Sequence, residues 1–258
     1  MVDAEEVLAR VEKVKVGGIA IARLDLDATA DLMIRLAQGP RRGQGPLNLT
    51  SANGEVIARC RSNGTFAKLI HSADLVSADG QPLVFASKLF GRAALPERVA
   101  TTDLYDRVAA RAERTGASFY LLGASEEVNR RTYEITRQKY PHLRIAGSSH
   151  GYLAGAALEA KIDEINALRP DILWLAMGVP TEQLFVERWS PRLRNVGLIK
   201  TAGGLFDFYS GAKPRAPKSV QALGLEWAYR ILLEPRRLFW RYAVTNPVAI
   251  VQLVRATA

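Results

Sequence analysis

The chain is short of the residues that build disulfide frameworks and metal centres. Its 258 residues include one cysteine, Cys60, and three histidines, His71, His142 and His150. One cysteine excludes an internal disulfide and a cysteine-based zinc site. Three scattered histidines argue against a multi-histidine centre. No run of about 18 apolar residues occurs, so no segment reads as membrane-spanning. Residues 1–15 mix acids and bases without an apolar stretch, so no targeting peptide is expected there and a cytoplasmic location is the simplest reading. The G-x-G-x-x-G, P-loop, G-x-S-x-G and H-E-x-x-H patterns are missing. That disfavours a dinucleotide oxidoreductase, a P-loop NTPase, a serine hydrolase and a zinc protease. Internal repeats and low-complexity segments are lacking as well.

What is present is an ordinary globular composition, 48% hydrophobic and 24% charged. The length allows one large domain or two small ones. The net charge of +9 is unevenly placed. Residues 211–258 hold eight basic side chains against two acids, Glu226 and Glu234, and so carry +6 of it. The same stretch contains Trp227, Tyr229, Phe239, Trp240 and Tyr242. Bases interleaved with amphipathic aromatics suit an anionic membrane surface or a polyphosphate ligand. A solvated helix face with ordinary core aromatics is the plainer reading, and a nucleic-acid footprint is a third.

Hydrophobic runs and turn residues predict strands at 15–22, 47–50, 75–77, 118–122, 143–146, 171–177 and 196–201. Helices are expected at 27–38, capped by Asp27, and at 55–60, 65–71, 81–90, 126–139, 156–168 and 181–193. Two more are expected at 219–233 and 235–244, with a break at Asn246-Pro247. A Gly/Pro/Arg loop is expected at 39–46. Strands apolar on both faces, alternating with helices, imply an α/β fold: a parallel sheet with helices on both faces. The pattern changes near residue 210, which divides an α/β core at 1–210 from a helical, basic, aromatic-rich appendage at 211–258.

In such sheets ligands bind at the carboxyl ends of the strands. The glycine-rich exits at Gly123, Gly147–Gly151, Gly178–Pro180 and Gly203-Gly204 therefore form a candidate nucleotide-type site, where glycine admits close approach of phosphate oxygens. Asp79 closes a short strand before Gly80; it is either a general base or part of an Asp-Gly turn. Arg98 is either a phosphate fork or a solvated loop charge. Asp25-Leu26-Asp27 has the form of a metal-holding DxD, but its position before a helix favours capping. His150, inside the glycine-rich loop, is the one histidine placed to act on a ligand.

Longer motifs carry a family resemblance. They are Asn53 with Thr50-Ser51 before it, ADLVSADG at 73–80, LPERVATTDL at 95–104, GSSHGY at 147–152, MGVPTEQ at 177–183, GGLFDFYSG at 203–211, and Arg215–Pro217 with LEWAYRILLEPRRLFWRY at 225–242. Over about residues 15–242 the chain resembles the WecG/TagA/CpsF glycosyltransferases (glycosyltransferase family 26). The resemblance implies a Rossmann-like core with a C-terminal appendage. It implies an inverting hexosyltransferase, needing no metal or cofactor, that moves a sugar from a UDP-sugar to a polyprenyl-diphosphate-linked acceptor. The sugar would be a hexose, an N-acetylhexosamine or a uronic acid, and the product a precursor of exopolysaccharide, capsule or teichoic-acid type polymers. The enzyme would work as a peripheral protein on the inner face of a bacterial plasma membrane, with self-association in solution and no nucleic-acid partner. The alternative is a non-catalytic UDP-sugar-binding subunit of a polysaccharide assembly complex.

Residue by residue, the resemblance makes Asp79 the base, with Arg98, Arg230 and Arg237 completing the catalytic set. It assigns substrate contacts to Ser51 (or Thr50), Asn53, Asp207 and Arg241, and its motifs take in Gly178, Pro180, Glu182, Gln183, Gly203 and Gly204; Gly123 joins the substrate contacts as a strand-exit glycine. The chain departs from the family pattern in three places. Glu182-Gln183 stand in exchanged order, Thr101 replaces a glycine, and Ser51 stands where a threonine is expected.

Overall fold

The computed structural model describes residues 4–39 and 44–258; residues 40–43 of the expected loop at 39–46 lie outside them. The elements begin with α1 (Ala4–Ala9), β1 (Lys13–Val16), β2 (Ile19–Ala22), α2 (Leu26–Ala37), β3 (Leu47–Ala52), α3 (Gly54–Ser62), α4 (Gly64–His71), β4 (Leu75–Ala78) and α5 (Gln81–Phe90). They continue with α6 (Thr101–Thr115), β5 (Ser118–Gly123), α7 (Glu126–Lys139), β6 (Arg144–Ser149), α8 (Gly155–Leu168), β7 (Ile172–Ala176), α9 (Thr181–Trp189), β8 (Leu198–Thr201) and α10 (Leu205–Tyr209). The last three helices are α11 (Lys218–Ala222), α12 (Glu226–Leu233) and α13 (Pro235–Arg255). Six strands form one sheet in the order β4-β3-β8-β7-β5-β6, with β3–β8, β8–β7, β7–β5 and β5–β6 pairing parallel. The fold is α/β with a parallel sheet, as the strand pattern predicts.

By internal contacts the chain divides into two compact units: residues 1–10, 27–50 and 101–213, and residues 11–26, 51–100 and 214–258. In the first unit, successive residues of β7 serve opposite faces. Leu173 and Leu175 join Tyr120, Leu122, Ile162 and Ile165 in one buried layer. Trp174 points the other way, stacking edge-on with Tyr105 at 4.9 Å between ring centres. Both faces are apolar because both are covered.

In the second unit, the expected single strand at 15–22 is a hairpin. β1 and β2 pair antiparallel across Gly17-Gly18, a two-glycine turn whose positive φ angles match the strand twist. α13 lays a stripe of buried Leu238, Tyr242, Ala249 and Leu253 inward, with Ala249 facing Gly54 of α3. Its far end returns to the hairpin, where Gly18 N–H donates to Ala256 O at 2.8 Å and Gly17 N–H to Thr257 Oγ1 at 3.1 Å.

Four local expectations are corrected. Asp27 lies inside the first turn of α2 and pairs there with Arg111 at 2.9 Å; a carboxylate in that turn is favoured by the helix dipole. α6 lies where no helix is expected, although Leu104, Tyr105, Val108 and Ala112 recur at helical spacing. The helix expected at 219–233 is two helices, because Gly224 takes a φ of +71° that a helix cannot contain. The break expected at Asn246-Pro247 does not occur, and α13 runs through Pro247.

Candidate active site

The second unit gathers a charged centre around the exit of β4. Asp79 follows that strand directly, and its N–H donates to Ala52 O at the end of β3 (2.8 Å). The Arg98 loop runs alongside, fixed by Val99 N–H on Ala78 O at 2.8 Å. From there the Arg98 guanidinium spans three acceptors. Nε donates to the Asp79 carbonyl (3.1 Å), Nη2 to Asp79 Oδ1 (3.3 Å), and Nη1 lies 2.8 Å from Glu226 Oε2. The last contact is an ion pair whose angle departs from that of a directed hydrogen bond. Arg98 is largely buried. Burial works against its charge, but Asp79 and Glu226 outweigh it and hold the guanidinium above its usual range. The arrangement orients the Asp79 carboxylate by a cation that is itself held from the other side.

Around this centre Asn53 caps α3, its Oδ1 accepting from Val56 N–H at 3.1 Å. Gly80 sits so close to Asn53 that an added methyl would lie 3.3 Å from the Asn53 Cα. Ser51 is half-buried at the end of β3. Glu55 accepts from Arg59 at 3.1 Å through Oε1 and pairs with Arg241 Nη1 at 3.2 Å through Oε2. Nε and Nη2 of Arg241 are buried and make no hydrogen bond among the described residues. Arg230 is half-buried on α12, and Arg237, exposed at the start of α13, pairs with Glu234. Glu234 closes α12 and begins α13, so Arg230 and Arg237 stand on different helices.

The first unit holds the glycine-rich strand exits. Gly123 ends β5 with a φ of +140°, and an added methyl would fall 2.2 Å from Ala176 O, so the adjoining strand leaves room only for glycine. After β7 come Gly178 and a cis Val179-Pro180 bond. Glu182 and Gln183 open α9, both buried. Glu182 Oε2 accepts from Gly203 N–H at 2.8 Å, and Gln183 Nε2 donates to Glu182 Oε1 at 3.3 Å. Burial raises the Glu182 pKa, against the Gly203 N–H and the buried Lys200. Thr50 is buried too, its hydroxyl sharing a hydrogen bond with Thr201 at 2.7 Å. Gly204 is exposed, while Asp207 on α10 lies 3.7 Å from Lys213 Nζ. A cavity of about 230 Å³ opens here, lined by Leu122, His150, Met177, Leu184, Phe185 and Trp189 among others.

Over residues 14–258 the sequence matches the Glycosyl transferase WecG/TagA/CpsF family. The chain belongs to this family. It is also 32% identical over 216 residues to the N-acetylglucosaminyldiphosphoundecaprenol N-acetyl-beta-D-mannosaminyltransferase of Bacillus spizizenii, covering 81% of this chain and 80% of that one. The WecG/TagA/CpsF chain described here is thus a glycosyltransferase, and among its described residues no helix is long and apolar enough to cross a membrane.

Within this family member the structure joins Asp79 to Arg98 and separates the paths of the C-terminal arginines, Arg237 going to Glu234 and Arg241 to Glu55. Of the Thr50/Ser51 pair, Thr50 is committed to the sheet interior. Sequence reasoning missed Glu226 and Glu55. The signal for Glu226 was compositional: it is one of two acids among eight bases, and such an isolated acid is a natural partner for a buried cation.

Proposed function

We propose that this glycosyltransferase moves a sugar from a UDP-sugar to the hydroxyl of a polyprenyl-diphosphate-linked sugar, with inversion and without a metal or cofactor. The observation that carries the reading is the Asp79–Arg98–Glu226 chain at the exit of β4. One carboxylate is oriented there by a largely buried guanidinium. In the displacement, Asp79 takes the acceptor hydroxyl proton as the acceptor oxygen forms its bond to the anomeric carbon. The bond from that carbon to the UDP oxygen breaks with its electron pair leaving on the diphosphate. Positioned base catalysis contributes about 10²–10⁴-fold in rate.

The leaving diphosphate needs positive charge, and arginine is the group this chain offers. Asp27, the second acid of the DxD motif, is engaged by Arg111. The Nε and Nη2 donors of Arg241 lack a protein acceptor among the described residues, and two phosphate oxygens would satisfy that edge once the residues covering it move aside. An N-acetylhexosamine is the favoured donor sugar, since the Bacillus spizizenii relative is named for N-acetylmannosaminyl transfer to a diphosphoundecaprenol-linked N-acetylglucosamine. Exposed Trp240, Phe239 and Leu232, with the excess of basic residues after 210, support a peripheral seat on an anionic membrane surface.

The test is transfer from UDP-N-acetylhexosamines to a lipid-diphosphate N-acetylglucosamine acceptor, with and without a chelator. Asp79→Asn is expected to lower turnover at least about 10²-fold while UDP affinity stays near wild type. Unchanged turnover would remove Asp79 as the base, whereas a wild-type chain that binds UDP-sugar and transfers nothing would favour the non-catalytic UDP-sugar-binding subunit.

A further inference from the structure

The large apolar side chains left exposed are unevenly shared. Among the described residues, Tyr152, Leu168 and Leu184 are those in the first unit, and all the others belong to the second. Most of these follow residue 220, but three stand on α5: Phe85, Leu89 and Phe90, exposed by 41, 74 and 46%. Single exposed apolar residues need no explanation, whereas a contiguous patch marks a binding surface.

The α5 patch is continuous with the charged centre. α5 starts two residues after Asp79. Phe85 and Leu89, four apart, stack on one helix face. Gly224, between α11 and α12, packs on the near end, where an added methyl would lie 3.5 Å from Gln81 Cβ and 3.6 Å from both Pro82 Cδ and a ring carbon of Phe85. Leu223 and Leu225, on either side of Gly224, are also exposed, and the next residue is the Glu226 that pairs with Arg98. An apolar strip thus begins beside the Asp79–Arg98–Glu226 chain and runs out along α5 for about 12 Å, eight residues at the helical rise. Exposed Lys88 and Arg92 flank its far end.

We propose that this strip binds the isoprenoid chain of the acceptor, in the segment next to the diphosphate. The inference rests on the function proposed above. The acceptor requires a site whose polar end holds a sugar and a diphosphate and whose continuation is apolar. The centre supplies a carboxylate and arginines, and Phe85, Leu89 and Phe90 supply the continuation. Lys88 and Arg92 carry the charge that suits the anionic surface from which the chain emerges.

The experiment uses the full chain in detergent solution, without a bilayer. It compares two diphosphate-linked N-acetylglucosamine acceptors, one with a long isoprenoid chain and one with a short water-soluble alkyl chain. The variant is Leu89→Gln/Phe90→Gln; both positions are exposed, and a melting curve checks that the fold is kept. The expected result is that the preference for the long-chain acceptor, as a ratio of kcat/KM values, falls about tenfold in the variant. An unchanged ratio overturns the proposal. So does a defect seen only when the acceptor is presented in phospholipid vesicles, which would make α5 a bilayer contact. Wild-type protein that transfers to neither acceptor would instead overturn the proposed function itself.

Discussion

The contact between Arg98 and Glu226 lends itself to a quantitative test. The two charges lie 2.8 Å apart, with side chains 16 and 21% exposed. At the effective dielectric constant of about 20 that suits such sites, their gross attraction is about 6 kcal/mol. Most of this is cancelled by the cost of drying both ions, and Arg98 keeps Asp79 as a second anion when Glu226 is lost. A net coupling of about 1–3 kcal/mol remains as the expectation. The perturbation is Glu226→Gln, which removes the charge and keeps the shape, combined with Arg98→Met in a double-mutant cycle followed by urea unfolding. Glu226→Gln alone is expected to lower Tm by about 2–4 °C for each kcal/mol lost in a chain of this size. Turnover should fall on the order of tenfold, because a guanidinium held from one side only orients Asp79 less well. A coupling below about 0.3 kcal/mol, with turnover unchanged, would refute the reasoning: the two groups would then be neighbours without mutual stabilisation.

Burial raises the Glu182 pKa, so the folded chain holds that proton more tightly than the unfolded one. Its contribution to stability is full below the ordinary value of 4.5 and is lost as pH rises through the raised folded value. Glu182→Gln keeps an acceptor for Gly203 N–H and cannot ionise, so its Tm relative to wild type should climb between pH 4.5 and 8; parallel melting curves across that range would count against it. Gly123→Ala puts a methyl 2.2 Å from Ala176 O at a φ of +140°, and unfolding should show a loss of at least about 2 kcal/mol; a variant as stable as wild type would mean β5 and β7 can separate freely. Burial pushes the Cys60 thiol up to about 11 from 9.0, so alkylation at pH 8 should run about a hundredfold slower than for an ordinary thiol, and fast labelling would contradict the burial.

Much of the sheet was legible because its signal is local. β7 reads as a buried strand from its own residues, apolar at every position from Ile172 to Ala176. Asp79-Gly80 reads as a strand exit for the same reason. Apolar residues flank both glycines of the Gly17-Gly18 hairpin and mimic one continuous strand, although the glycine pair itself is a turn signal. Pro247 predicts a break because proline removes a helical hydrogen bond, a cost of about 3 kcal/mol in isolation. The helix continues because Ala249 and Leu253 beyond it extend the buried stripe, and the following residues bond to the hairpin. That compensation comes from segments far away in the chain, and no local window contains it.

The residues by themselves determined the class of fold, the glycine-rich strand exits and the basic and aromatic C-terminal stretch, and they marked Asp79 and Arg98 as candidates. Periodicity, turn chemistry and charge are properties of neighbours in sequence. Tertiary structure decided what those groups are bound to. It committed Thr50 to Thr201, turned Glu182 onto Gly203, sent Arg241 to Glu55, and brought Glu226 across more than a hundred residues to the far side of Arg98. An ion pair is fixed by distance in space, and separation along the chain carries no information about it until the backbone between its members has folded.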